Sequence, residues 1–205
     1  MTDGGSSLPE VQRLLAVLAA GKKCAETGTA FGEGAAAIAS TAVSLVTVES
    51  DPSRADVATG RLRDFDNVDL FVGDWREHLP SRAPFEFIFF DAGRAEESQA
   101  AIDLLAPGGL FVKDDLTPNR PGPVREFLLH HPQLVAVELP TTASTAAIVA
   151  AKRALSQLPG SDPGCAETVT FVPNTWSERD GFRGSGSDPR CDESVTFVPQ
   201  AAAAG

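Results

Sequence analysis

The chain has 205 residues, 42% of them hydrophobic, and a formal net charge of −11, enough length and apolar content for one domain with a sizeable core. No apolar run is long enough to span a bilayer, and the N-terminus Met-Thr-Asp-Gly-Gly-Ser-Ser lacks the basic and apolar regions of a signal peptide, so no membrane partner and a cytoplasmic location are expected. No basic cluster interrupts the acidic background, which argues against a nucleic-acid partner and for a small-molecule acceptor.

Taken in chain order, apolar residues at Leu8, Val11, Leu14, Leu15, Leu18 and Ala19 follow helical spacing, with Pro9 near the start, where its missing N–H costs nothing. A short strand then ends at Glu26 and breaks into the glycine loop Thr27-Gly-Thr-Ala-Phe-Gly-Glu-Gly34, followed by an alanine-rich helix over 34–40. Glycine lets backbone pass close to a ligand, and the free N–H groups of the next helix turn toward whatever the loop holds. Further strands are expected over 43–48, 68–72, 85–90, 110–112, 134–139 and 145–151, with helices over 51–65, 95–105 and 124–131. Continuous apolar strands alternating with helices predict an α/β fold, a Rossmann-like, doubly wound and mostly parallel seven-stranded sheet with an antiparallel last strand.

Beyond Lys152 regular periodicity stops, so the domain is expected over 1–153 and a Gly/Pro/Ser-rich tail over 154–205. Within it the segment at 160–173 recurs at 186–199, each copy carrying a cysteine (Cys165, Cys191) and a Val-Thr-Phe-Val-Pro cassette. Two copies are too few for a solenoid. The tail reads as a disordered or loosely docked appendage, or as a docking peptide. The three cysteines have no metal-ligand spacing, and Cys24 reads as a core residue.

Two nucleotide-binding patterns compete at the glycine loop. The dinucleotide fingerprint G-x-G-x-x-G, counted from Gly28, finds Ala30 and Glu33 in place of its second and third glycines. What stands there is E-x-G-x-x-x-G: Glu26, Gly28 and Gly32. In an open parallel sheet ligands sit beyond the C-terminal strand ends. There Glu26, Glu49, Asp74, Asp91 and the pair Asp114-Asp115 follow five expected strands in turn, and Glu49 lies 21 residues past Gly28, the usual distance for a ribose-binding acid. A purely structural edge could use any turn-forming residue at these places.

The E-x-G-x-x-x-G string resembles the first motif of class I S-adenosylmethionine methyltransferases, especially the small catechol and caffeoyl-CoA type O-methyltransferases. The resemblance covers about 8–152 and implies that S-adenosyl-L-methionine lies against Glu26, Gly28, Thr29, Phe31, Gly32, Glu49, Ser50, Asp74, Trp75 and Asp91. Glu49 would bind the ribose and Gly73-Asp74-Trp75 the adenine. The resemblance also implies a divalent metal, Mg²⁺ or another hard cation, on Asp91, Asp114 and Asp115; three converging carboxylates repel one another without a cation, and oxygen ligands suit such ions. Asp91, Arg94 and Lys113 are the expected catalytic residues. The sequence departs from the family at Asp91-Ala-Gly-Arg94, where the family shows Asp-Ala-Asp-Lys, because a guanidinium can stabilise an oxyanion but cannot act as a base.

These expectations amount to an S-adenosylmethionine-dependent O-methyltransferase acting on a small vicinal-oxygen acceptor. Its acceptor pocket is left to 116–123, the tail or a second copy in a homodimer. Metal-independent transfer, a non-catalytic cofactor-binding protein with a docking tail, and a nicotinamide oxidoreductase are the alternatives.

Overall fold

In the computed structural model, which describes residues 7–154, helix α1 (Pro9–Ala19) precedes strand β1 (Lys23–Thr27), helix α2 (Glu33–Ala39) and strand β2 (Ser44–Glu49). Helix α3 (Pro52–Leu62), strand β3 (Val68–Val72), the short helix α4 (Trp75–His78) and strand β4 (Phe85–Phe90) follow. The chain then forms α5 (Ser98–Asp103), β5 (Leu105–Leu116), α6 (Pro123–Leu129), β6 (Leu134–Pro140) and β7 (Ala146–Lys152). The tail repeats and their cysteines lie outside the described residues.

The strands make one seven-stranded sheet in the order β3-β2-β1-β4-β5-β7-β6. β1 pairs in parallel with β2 and β4, β2 with β3, and β4 with β5; β7 runs antiparallel to both β5 and β6. This is the doubly wound architecture expected from alternating strands and helices, antiparallel last strand included.

Helices cover both faces because the central strands are apolar on both. In β4, Phe87 and Phe89 join the core formed with Val11 and Leu15 of α1 and Ile38 of α2. Ile88 and Phe90 point the other way, into the core built with Trp75 and Leu79, Ile102 of α5 and Leu128 of α6. Cys24 lies in the first of these cores as a free thiol, its pKa pushed up to about 12 by burial, which makes it a poor nucleophile.

Local signals account for most element ends. Asp51 caps α3 by accepting the Ser53 N–H at 2.8 Å, and Pro52 takes the first helical position. Besides α4, two features differ from expectation. The strand expected over 110–112 begins already at Leu105, with Pro107-Gly108-Gly109 absorbed into its irregular start, where the β4–β5 register shifts between Phe85 and Phe87. The helix expected over 95–105 splits into a 3₁₀ turn, Ala95–Glu97, and α5.

Candidate active site

The parallel strands end along one rim. Thr27 pairs with both Val48 and Phe90, Glu49 with Val72, and Phe89 with Val112, so Glu26, Glu49, Asp91 and Asp114 are carried to a common edge. Glycine chemistry closes the floor of this crevice. Gly28 has φ +84° and accepts no side chain: a Cβ there would stand 2.4 Å from the Ala92 Cβ. The loop after β1 and the loop after β4 are thereby brought into contact, and the Ala92 N–H donates to the Thr27 carbonyl at 2.7 Å. Gly32, with φ +85°, turns the chain into α2.

Glu26 is buried beneath this loop. It accepts a hydrogen bond from Thr47 Oγ1 at 2.6 Å, and a Cβ on Gly34 would come within 2.7 Å of its Oε1. Burial pushes its carboxyl up to about 8, opposed by the Thr47 hydrogen bond and reinforced by Asp91, Asp114 and Glu49. Glu49 is buried too; its Oε2 accepts the Ala30 N–H at 2.7 Å and its Oε1 the Asp51 N–H at 2.9 Å. A carboxylate has about four lone-pair sites, so Glu49 ties down the glycine loop and keeps acceptor capacity for hydroxyls. Thr29 is buried with its hydroxyl on Thr47, while Phe31 and Ser50 are more exposed, on the loops after β1 and β2.

Asp91, Asp114 and Asp115 converge, each offering a carboxylate oxygen within 4.8 Å of the others. Asp114 is buried and its Oδ1 has no hydrogen-bond partner. Asp115 is exposed and sits at φ +59°, where the β5–β7 register shifts between Lys113 and Leu116. That bulge re-aims successive side chains, so neighbours on one strand both reach the cluster. Burial is the first cause raising both Asp91 and Asp114; the Lys113 charge opposes it in both, Asp115 adds to it in both, and Asp91 raises Asp114 further while Asp114 holds Asp91 down. Lys113 is the buried counter-charge, and its Nζ donates to the Asp91 carbonyl oxygen at 2.8 Å. An orphaned buried carboxylate oxygen beside two further carboxylates is a donor set that fits a hard divalent cation.

Other expected residues have different surroundings. Arg94 is turned to solvent, its side chain 81% exposed, and it pairs with Glu96 at 3.9 Å. Asp74 caps α4 and is engaged by Arg76, which holds its carboxyl below the usual range. Arg76 also reaches Glu97 at 3.0 Å and links the rim after β3 to the loop after β4. Trp75 is buried and meets Phe90 edge-on at 5.9 Å. Two participants were missed from sequence. Thr47 lies mid-strand, and its alternation with Val46 and Val48 was the available signal; Ala92 matters only because Gly28 lies against it.

Comparison with known proteins bears on the same stretch of chain. A sequence model of the family "Protein-L-isoaspartate(D-aspartate) O-methyltransferase (PCMT)" matches residues 8–114. The chain is 34% identical over 118 residues to a protein-L-isoaspartate O-methyltransferase of Azorhizobium caulinodans, covering 56% of this chain and 54% of that protein. It is 37% identical over 97 residues to the enzyme of that name from Methanocella arvoryzae, covering 45% and 52%. The chain thus spans about half the length of the curated relatives it matches.

Among solved structures, an O-methyltransferase from Bacillus cereus in complex with SAH superimposes with a TM-score of 0.63 at 21% identity, over 73% of this chain and 84% of that one. An S-adenosylmethionine-dependent O-methyltransferase from Thermotoga maritima gives 0.61 at 18%, over 75% and 69%. Such likeness establishes the fold. The small-molecule acceptor expected from sequence is contradicted by the family match, whose printed name specifies an isoaspartyl residue of a protein. The acidic composition that argued against nucleic acid does not distinguish a small molecule from a polypeptide, which is why the inference went astray.

Proposed function

The chain belongs to the protein-L-isoaspartate(D-aspartate) O-methyltransferase family, within the class I S-adenosylmethionine methyltransferases, and from that premise we propose that it methylates a carboxylate carried on a polypeptide, the side-chain-linked isoaspartyl carboxylate being the specific acceptor. The observation that carries the reading is the crevice in which Gly28, Glu26 and Glu49 adjoin the Asp91–Asp114–Asp115 cluster at one sheet edge.

Bound S-adenosylmethionine would supply an electrophilic methyl group on a sulfonium. The protein's part is placement. Gly28 and Gly32 leave room for backbone to approach the cofactor, Glu49 offers lone pairs to the ribose hydroxyls, and the acidic rim favours the positively charged donor over its neutral product. An acceptor oxygen held at this rim would take that methyl group, the carbon–sulfur bonding pair staying with sulfur. A carboxylate with a pKa near 4 is already ionised at neutral pH, so the transfer needs no base. Arg94, which cannot act as one, therefore poses no obstacle, and catalysis rests on orientation and charge placement.

A second, finer reading keeps the divalent cation expected from the catechol and caffeoyl-CoA type enzymes, on Asp91, Asp114 and Asp115. The unpartnered Oδ1 of Asp114 supports it. The ion would offset the repulsion between an incoming carboxylate and the cluster. Chelation with EDTA separates the two: a metal-dependent enzyme loses activity and recovers it with added Mg²⁺, whereas a metal-free one is unaffected.

The test of the main reading is transfer of tritiated methyl from S-adenosylmethionine to a synthetic peptide containing isoaspartate, against the same peptide containing aspartate. Base-labile methyl ester on the first alone is the expected result. Equal labelling of both, or of neither, rejects the isoaspartyl specificity.

A further inference from the structure

The segment between β5 and α6 continues directly from Asp115. Together with the start of α6 it walls an open groove of about 200 Å³, with Asp115, Thr117, Arg120, Pro121, Val124 and Arg125 among its lining residues. The groove's wall is built rather than loose. Arg125 is buried; it clamps the Glu138 carboxylate through Nε at 2.6 Å and Nη2 at 2.8 Å, and Nη2 also donates to the Thr117 carbonyl at 2.7 Å. The Arg120 N–H closes a turn onto Thr117 O at 3.2 Å, with Asn119 at φ +59°.

The two arginines of this groove are consequently in different states. Arg125 has its charge matched by Glu138 and serves the fold. Arg120 is exposed, and its guanidinium has no partner among the described residues. It is a free cation in a protein of net charge −11, and it shares its groove with Asp115, one of three clustered carboxylates whose buried counter-charge is Lys113. An anionic acceptor arriving at Asp115 adds another negative charge and needs a positive group on its own side of the crevice. A guanidinium suits a carboxylate by its planar fork, while Pro121 and Val124 offer apolar surface to neighbouring side chains.

We propose that this groove is the acceptor subsite, that it takes an extended polypeptide segment, and that Arg120 engages one oxygen of the acceptor carboxylate and leaves the other to accept the methyl group. This rests on the carboxyl-methyltransferase reading given above. Arg120 is a specificity-determining residue in this account, and Arg125 a positioning residue that holds the groove open.

The test is steady-state methylation of the isoaspartyl peptide by the 205-residue chain, wild type against Arg120→Ala and Arg120→Lys, with calorimetric titration of S-adenosylhomocysteine on each. Arg120→Ala is expected to raise KM for the peptide about tenfold to a hundredfold, with kcat within about threefold and product affinity unchanged; Arg120→Lys recovers part of the loss. A wild-type KM in Arg120→Ala overturns the subsite, as does a fall in S-adenosylhomocysteine affinity that matches the rise in KM. A wild-type protein that binds S-adenosylhomocysteine yet leaves the isoaspartyl peptide unmethylated overturns the carboxyl-acceptor reading itself, and the subsite with it.

Discussion

Glu26 shows how a single side chain at this rim trades stability for charge. Its carboxyl is pushed up to about 8 in the fold by burial, from an ordinary 4.5. Below about 4.5 both folded and unfolded chains hold the proton, so the group costs nothing. Between 4.5 and 8 the unfolded chain releases it first, and the fold loses stability as pH rises. The full difference is on the order of 5 kcal/mol at most. Glu26→Gln, which keeps the shape and can still accept from Thr47, is therefore expected to flatten the pH dependence of the melting temperature over that window and to melt above wild type at pH 8.5. Thermal denaturation from pH 5 to 8.5 measures this; parallel curves for the two proteins would contradict it. Glu49, equally buried, has its oxygens occupied by the Ala30 and Asp51 N–H groups and so holds the loop as well as any ligand. Asp114 keeps one buried oxygen without a partner, the feature that supports the divalent cation proposed there. Asp91→Asn is expected to abolish Mg²⁺ binding, measured by calorimetry, and to leave S-adenosylhomocysteine affinity within about threefold. Unchanged Mg²⁺ binding in that variant would remove the ion from this site.

At the scale of elements, the decisive object is the loop between β1 and α2. Its conformation is fixed from below by Gly28 against Ala92 and from the side by α3, where Arg61 donates Nε to the Phe31 carbonyl at 2.8 Å and pairs through Nη2 with Glu33 Oε1 at 2.6 Å. Gly28→Ala meets both a left-handed φ and a backbone-anchored neighbour, and is expected to destabilise the fold by about 1–3 kcal/mol while weakening cofactor binding. A melting temperature within a degree of wild type would contradict the close approach. This loop was readable in the sequence because a left-handed turn and a tight contact both demand glycine. The strands 68–72 and 85–90 were equally readable, since short, mostly apolar runs between helices, broken only by Asp69 and Glu86, have few other uses. The small helix α4 was missed. Within Gly73-Asp74-Trp75, which the resemblance assigns to the adenine, Asp74 is also an N-cap accepting from Arg76 N–H, a role a single acid in a short segment does not advertise. For Arg94, which the family resemblance put near the chemistry, the fold adds that its side chain is turned to solvent. Nor could sequence separate Arg120 from Arg125, because the difference between them is Glu138, a partner on another strand.

For the molecule as a whole, the order of the strands turns a scatter of acids into one feature. Residues as distant in sequence as Glu26 and Asp114 become electrostatic neighbours because β1, β4 and β5 are adjacent and end together. A net charge of −11 adds to this field and disfavours anionic partners in general, so an anionic acceptor needs a local cation, supplied by Arg120, by a bound ion, or by both. Added salt should accordingly lower KM for an isoaspartyl peptide in Arg120→Ala more than in wild type, since screening relieves uncompensated repulsion; steady-state rates between 50 and 300 mM NaCl measure it, and an equal response in both proteins would contradict it. All of this presupposes that the rim is where the cofactor lies. The most direct test is calorimetric titration of S-adenosylhomocysteine into wild type, Glu49→Gln and Glu49→Ala. The account predicts one site in the wild type and affinity about tenfold to a hundredfold weaker in both variants, with the fold intact by circular dichroism. Wild-type affinity in both variants, or no binding by the wild type, would contradict it.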